Sequence, residues 1–163
     1  MWQKALVIAL VPYSLWLVFA YQYHFIDGAN LLFHEGGHVV FGFMGETLHF
    51  LGGTVGQLFF PAACAIYFWR EDKRFESLVC AFWLGESLMY MAEYMSDAKD
   101  RVLPLVGGGI HDWHWLFSEW GVLNACRGIG GFFHLLASVL VLGCLWLLAR
   151  QAWSAPEINN KHY

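Results

Sequence analysis

Long apolar segments separated by short polar breaks dominate this chain. A helix that crosses about 30 Å of hydrocarbon needs about 20 mostly apolar residues. Five segments approach that requirement, and charged or glycine-rich stretches lie between them. The pattern therefore predicts an all-α, polytopic bundle with about five transmembrane helices, at about residues 5–22, 25–45, 53–69, 75–96 and 129–149.

The breaks between these segments differ in character. The first apolar run is longer than a signal-peptide core of about 7–15 residues, so we interpret it as a span. The cluster from Arg70 to Arg74 is the clearest polar loop. Residues 101–128 mix charge, glycine and tryptophan, and Gly107–Gly109 is expected to be a flexible joint within them. This segment is predicted to lie at the headgroup level, where amphipathic rings collect, because it contains Trp113, Trp115 and Trp120.

The composition agrees with a membrane protein. The 163 residues are 58% hydrophobic and only 13% charged, whereas soluble domains average about 25% charged residues. The 18% aromatic content excludes a disordered chain. Nine Lys and Arg against thirteen Asp and Glu argue against a nucleic-acid partner. We expect a single multi-pass domain, 1–163, whose surroundings are the lipid bilayer.

The motif His34-Glu35-Gly36-Gly37-His38 is the sharpest chemical feature. A spacing of four places both imidazoles on one helical face, close enough to share a metal ion. Zinc lowers the pKa of its coordinated water toward about 7, and a neighbouring carboxylate such as Glu35 can then remove a proton as general base. The motif lies inside a predicted span, where ionisable groups are costly and are functional by default. The pattern predicts a zinc centre.

A line of polar side chains on the fourth predicted helix supports this interpretation. At 100° per residue its members fall within about 40° of one another, so the line must face the protein interior or water rather than lipid. Asp100, at its end, is expected to be an ordinary interfacial residue that pairs with Lys99 or Arg101. The line consists of Glu86, Tyr90, Glu93, Asp97 and Asp100.

The third zinc ligand is open at this stage. A catalytic zinc site needs three protein ligands and one open position. Asp97 lies on the polar line, and the cluster His111-Asp112-Trp113-His114 could fold back over the motif. We favour Asp97 and His111 as candidates, with Asp112 behind them. The other histidines are interpreted as lone residues, and His134 is expected to be buried with its hydrogen bonds satisfied; they are His24, His49, His134 and His162.

A glycine-rich stretch, Gly52 to Gln57, follows the motif. One interpretation is a tight turn combined with small-residue helix packing. The alternative is a stretch of backbone that, with Gln57, receives an extended substrate strand beside the metal.

The motif in a hydrophobic helix, then a glycine-rich stretch, then an acidic residue on a later helix resembles the site-2 protease family of intramembrane zinc metalloproteases, in particular its small bacterial members. The resemblance covers about residues 29–100. It implies His34 and His38 as zinc ligands, Asp97 as the third ligand and Glu35 as general base. It also implies hydrolysis of a membrane-embedded or juxtamembrane protein or peptide, in a bacterial inner membrane.

Two other functions use the same residues. The first is a non-catalytic zinc-binding membrane scaffold or assembly protein, in which the 97–114 segment blocks the open coordination position. The second is a redox protein in which histidines on separate helices, such as His38 and His134, ligate haem or iron. Haem ligation, however, gives no reason for Glu35.

Overall fold

The computed structural model describes residues 1–105 and 109–154, which form an all-α bundle of six helices. A short 3-10 helix, Leu123–Ala125, precedes the last of them. Gly107 and Gly108 of the expected joint, and His162, lie outside the described residues. The helices are α1 (Trp2–Ala20), α2 (Phe25–Phe41), α3 (Glu46–Arg70), α4 (Arg74–Asp97), α5 (Asp112–Glu119) and α6 (Cys126–Ser154).

A helix forms in each of the five predicted spans, but only three of the described helices are long and apolar enough to cross a membrane. These are α1, α3 and the stretch Leu123–Ser154 that contains α6. Helix α2 has 17 residues, fewer than a perpendicular crossing needs. Helix α4 is long enough, but its acidic residues lower its hydropathy. Residues 1–105 and 109–154 therefore contain three candidate transmembrane helices.

Helix α3 begins at Glu46, well before the predicted residue 53, and the glycine-rich stretch lies inside it. The predicted tight turn is therefore wrong, whereas the predicted small-residue helix packing is confirmed. A Cβ atom on Gly56 would lie 2.5 Å from the Phe33 carbonyl oxygen of α2, and one on Gly37 would collide with the Gly52 carbonyl. Helices α2 and α3 can approach this closely because the contacting positions carry no side chains.

The helices pack in a row, with α1 against α6, α6 against α4, α4 against α3, and α3 against α2. Helix α5 closes one end by packing on α3 and α4. Its apolar positions Trp113, Leu116 and Phe117 recur at helical spacing and are buried against Met91 and Met95 of α4. Trp113 therefore lies in the core of the bundle. The headgroup layer expected for it would have required an exposed ring.

Many large apolar side chains point outward from the bundle. This is expected for a protein solvated by lipid, because apolar patches of this extent are rare on soluble monomers. Examples on four helices are Phe19, Leu32, Val40, Phe59, Leu135 and Val139.

The contact between α4 and α6 generates a stability prediction. A Cβ atom on Gly130 would lie 2.6 Å from the Ala92 carbonyl oxygen and still closer to the Ser96 hydroxyl. Gly130→Ala should therefore force the two helices apart and lower the free energy of unfolding by about 1–3 kcal/mol. The matched control is Gly131→Ala, because nothing lies within 4 Å of its added Cβ. Thermal unfolding in detergent measures both, and equal melting temperatures would contradict the packing described here.

Candidate metal centre

Three side chains from distant parts of the sequence meet beside α2. His34 and His38 lie one turn apart with ring centroids 4.7 Å apart. Their Nε2 atoms lie 2.8 Å and 3.2 Å from the Asp112 Oδ2 atom at the start of α5. One ligand atom from each residue lies within 4.8 Å of the other two. The predicted pairing of the two histidines on one face is confirmed, and Asp112 is the carboxylate that joins them.

Hydrogen bonds to α3 fix the orientation of both imidazoles. The Nδ1 atom of His38 donates to the His49 carbonyl at 2.8 Å. The Nδ1 atom of His34 donates to Gln57 Oε1 at 2.9 Å, and Gln57 Nε2 in turn donates to the Ser87 carbonyl at 3.0 Å. With each Nδ1 bonded to an oxygen atom of α3, each Nε2 is the ring nitrogen that faces Asp112. Metal-binding histidines are oriented in this way by outer hydrogen bonds.

The donor set fits a divalent cation. Two imidazole nitrogen atoms and a carboxylate oxygen converge at hydrogen-bond distances. Such electron-rich atoms repel one another unless a proton or cation lies between them. Two histidines and one carboxylate are also an established ligand set of catalytic zinc sites. The residues present therefore suit zinc.

Helix α3 presents a glycine to the two imidazoles. A Cβ atom on Gly53 would lie 2.5 Å from His34 Nε2 and 2.6 Å from His38 Nε2. Any side chain at this position would occupy the space in front of the nitrogen atoms that face Asp112. Gly53 thus keeps open the volume that a metal ion would need.

Asp112 is held in place by the start of α5 and by α4. Its backbone N–H donates to the Tyr94 hydroxyl at 3.1 Å. His111 precedes the helix, and its Nδ1 accepts from the His114 N–H at 3.1 Å, which caps α5. Burial alone would raise the pKa of Asp112, but its contacts with His34 and His38 outweigh burial and hold that pKa below its ordinary value. The carboxylate is therefore ionised and able to bind a cation.

Asp97 and His111, the favoured third ligands, are not brought into the group with His34 and His38. Asp97 accepts hydrogen bonds from the Val102 and Leu103 N–H groups, at 2.9 and 3.1 Å. Its Oδ2 lies 3.4 Å from His111 Nε2. Both side chains are therefore engaged in holding the loop that leads to Asp112. Burial lowers the pKa of His111 despite the nearby Asp97 carboxylate, so the neutral ring is favoured.

A cavity of about 630 Å³ opens onto the three residues. Glu35 is exposed on its wall, one residue away from His34. Tyr90 and Glu93 of the polar line also face it, as do Tyr21, Tyr23 and Tyr94. The two imidazoles are therefore accessible from this cavity. Gln57, by contrast, is 1% exposed, so it orients His34 and does not receive a substrate.

The other predicted polar positions have separate roles. Asp100 lies beyond α4 and pairs with Arg127, at 2.5 Å, instead of the expected Lys99 or Arg101. His134 Nε2 donates to the Val18 carbonyl of α1 at 3.0 Å, so it does not pair with His38. Glu86 is buried beside His24 and Asp27. This contact was missed in the sequence analysis, although the i, i+3 spacing of His24 and Asp27 indicates it.

Comparison of the chain with protein-family models, with curated proteins and with solved structures gives no match. The site-2 protease resemblance therefore stays a prediction from the motif, and the function is inferred from the site itself.

The position of Gly53 generates the first metal-binding prediction. Gly53→Ala should abolish zinc binding at His34 and His38, because the added methyl group would fill the space in front of both Nε2 atoms. Gly36→Ala is the control, since nothing lies within 4 Å of its added Cβ. Zinc content of the purified proteins measures the effect. Full zinc content in Gly53→Ala would show that the ion is not held there.

The third ligand is tested by a pair of isosteric variants. Asp112→Asn removes the charge that faces both imidazoles and should weaken zinc binding by at least about 10-fold. Asp97→Asn should keep the zinc, because Asp97 holds the loop and lies outside the three-residue group. Competition with a chromophoric chelator gives both affinities. Loss of zinc in Asp97→Asn alone would restore the sequence-based assignment.

Proposed function

We propose that this protein is a membrane-embedded zinc peptidase that hydrolyses peptide bonds of intramembrane or juxtamembrane segments. One observation supports the proposal. The imidazoles of the motif converge on the buried Asp112 carboxylate, and Glu35 lies on the wall of the cavity that adjoins them. The zinc ligands would be His34, His38 and Asp112, with Asp112 in the role expected of Asp97 or His111.

Each residue has a distinct task. Zinc, when bound, supplies a Lewis acid that acidifies water and polarises a substrate carbonyl. Glu35 is close to the ligands without belonging to their group, and its carboxylate is exposed to the cavity. It can accept a proton from the attacking water and deliver it to the leaving nitrogen. Gln57 and the His49 carbonyl keep the two imidazoles in the orientation that binding requires.

The proposed setting is a multi-pass bundle in a bacterial inner membrane, with α2 and α4 completing about five spans. Leu32, Val39 and Val40 of α2 point outward, which supports contact of this helix with lipid. A substrate helix hides its backbone in its own hydrogen bonds, so it must unwind locally before its carbonyl can enter the cavity. The acidic and tyrosine side chains of the cavity wall favour entry of water.

Two features favour this proposal over the alternatives. A zinc scaffold has no need for an open approach to its metal, whereas here a cavity adjoins all three ligands. A haem held by His38 and His134 would need both rings free, whereas His134 is bonded to the Val18 carbonyl and His38 faces Asp112.

The role of Glu35 yields the activity prediction. Glu35→Gln should keep its zinc and lose hydrolysis by about 10²-fold or more, because the amide cannot accept the proton. Glu93→Gln is the control, since it neutralises another exposed carboxylate on the same cavity wall. Cleavage of a fluorogenic peptide library by protein in lipid vesicles measures turnover. Undiminished turnover in Glu35→Gln, or no cleavage by the zinc-loaded wild type, would contradict the proposed function.

A further inference from the structure

A second group of titratable side chains is buried where the N-terminus of α2 meets the middle of α4. It consists of His24, Asp27 and Glu86, and Asp27 and Glu86 are 0% and 1% exposed. One ligand atom from each lies within 4.8 Å of the other two. The proposed hydrolysis uses none of them.

One oxygen of each carboxylate accepts a hydrogen bond from a side-chain donor. The Tyr21 hydroxyl donates to Asp27 Oδ1 at 2.7 Å. The Asn30 amide donates to Glu86 Oε2 at 2.9 Å, and Trp83 Nε1 donates to the Asn30 Oδ1 atom at 2.9 Å. Metal-binding carboxylates are fixed by outer hydrogen bonds of this kind. Gln57 orients His34 in the same way at the first centre.

The other oxygen of Glu86, Oε1, has no hydrogen-bond partner within residues 1–105 and 109–154, although it is fully buried. It lies 3.6 Å from His24 Nε2. Leaving a buried carboxylate oxygen without a partner costs several kcal/mol unless a cation or proton satisfies it. In those same ranges the His24 imidazole is the only basic group at ion-pair distance from either carboxylate.

We propose that His24, Asp27 and Glu86 bind a second divalent cation. Imidazole with carboxylate ligands suits a first-row ion such as Zn²⁺ or Mn²⁺. With bonds of about 2.1 Å, ligand atoms of a tetrahedral ion are about 3.4 Å apart, close to the 3.6 Å between His24 Nε2 and Glu86 Oε1. The Tyr13 hydroxyl, 2.5 Å from His24 Nε2, is the donor that the cation displaces.

The cation at this site has a structural role. It joins the start of α2 to α4, whereas α2 otherwise packs mainly on α3. His24 and Asp27 are seven to ten residues before His34, which corresponds to about 10–15 Å along a helix. Tyr21 connects the two places, because it lines the cavity and also donates to Asp27. Binding of this cation therefore stabilises the wall of the cavity without contacting the three residues of the first centre.

The experiment counts metal ions in the full chain. Protein purified in detergent is stripped with a chelator, incubated with zinc chloride or manganese chloride, freed of unbound metal and measured by elemental analysis. Wild type should hold two zinc equivalents, and Glu86→Gln and His24→Gln should each hold one. His34→Ala should also hold one, and the Glu86→Gln, His34→Ala double variant none. Glu93→Gln, on the same helix, should keep two.

The outcomes separate this proposal from the proposed function. Retention of the first zinc in Glu86→Gln shows that this variant folds. Wild type with one zinc that is lost in His34→Ala and kept in Glu86→Gln would overturn the second site and leave the peptidase intact, since a proton then satisfies Glu86. One zinc that is lost in Glu86→Gln and kept in His34→Ala would support the second site and overturn the peptidase. Wild type without metal would overturn both.

Discussion

The contact of one carboxylate with two imidazoles is the interaction on which the architecture depends. Asp112 is almost fully buried, and a buried carboxylate is tolerated only when cationic or hydrogen-bonding partners compensate for its lost hydration. His34 and His38 supply that compensation from a helix that precedes Asp112 by more than seventy residues. Helix α5 is therefore held at the end of the bundle by this contact at its first residue, in addition to the apolar packing of Trp113, Leu116 and Phe117.

Helix α3 performs two tasks that are linked by its glycines. Its small residues let α2 approach closely, and the short interhelical distance brings Gln57 and the His49 carbonyl within hydrogen-bond reach of the imidazoles. A larger helix separation would preserve both helices but would free both rings to rotate. The close packing of α2 on α3 and the orientation of the two imidazoles are consequently linked, so a mutation that separates the helices would also change the orientation of His34 and His38.

Periodicity was sufficient to predict the helices and the shared face of His34 and His38, because both depend on the 3.6-residue repeat alone. The carboxylate that joins them, Asp112, comes after the end of α4 and starts a new helix, so its position follows from no periodic pattern. Asp97 lies on the expected face, but the loop after α4 takes its oxygen atoms for backbone N–H groups. His111 is next in sequence to Asp112, yet it turns toward Asp97 and Tyr94. The glycine-rich stretch led to the wrong prediction of a turn. Its glycines lie inside α3, because close packing offsets their low helix propensity.

The separation of the two halves of the centre along the chain has a consequence for biosynthesis. The N-terminal part of a protein is made and begins to fold first, so α2 with its histidines is synthesised before α5 exists. During that interval the imidazoles have their α3 partners but lack the carboxylate. A nascent or truncated chain that ends before Asp112 is thus incapable of assembling the three-residue group, and the hydrolytic capacity proposed for the protein arises only after the start of α5 has been synthesised. The order of residues along the polypeptide therefore delays assembly of the three-residue group until α1 to α4 have been synthesised.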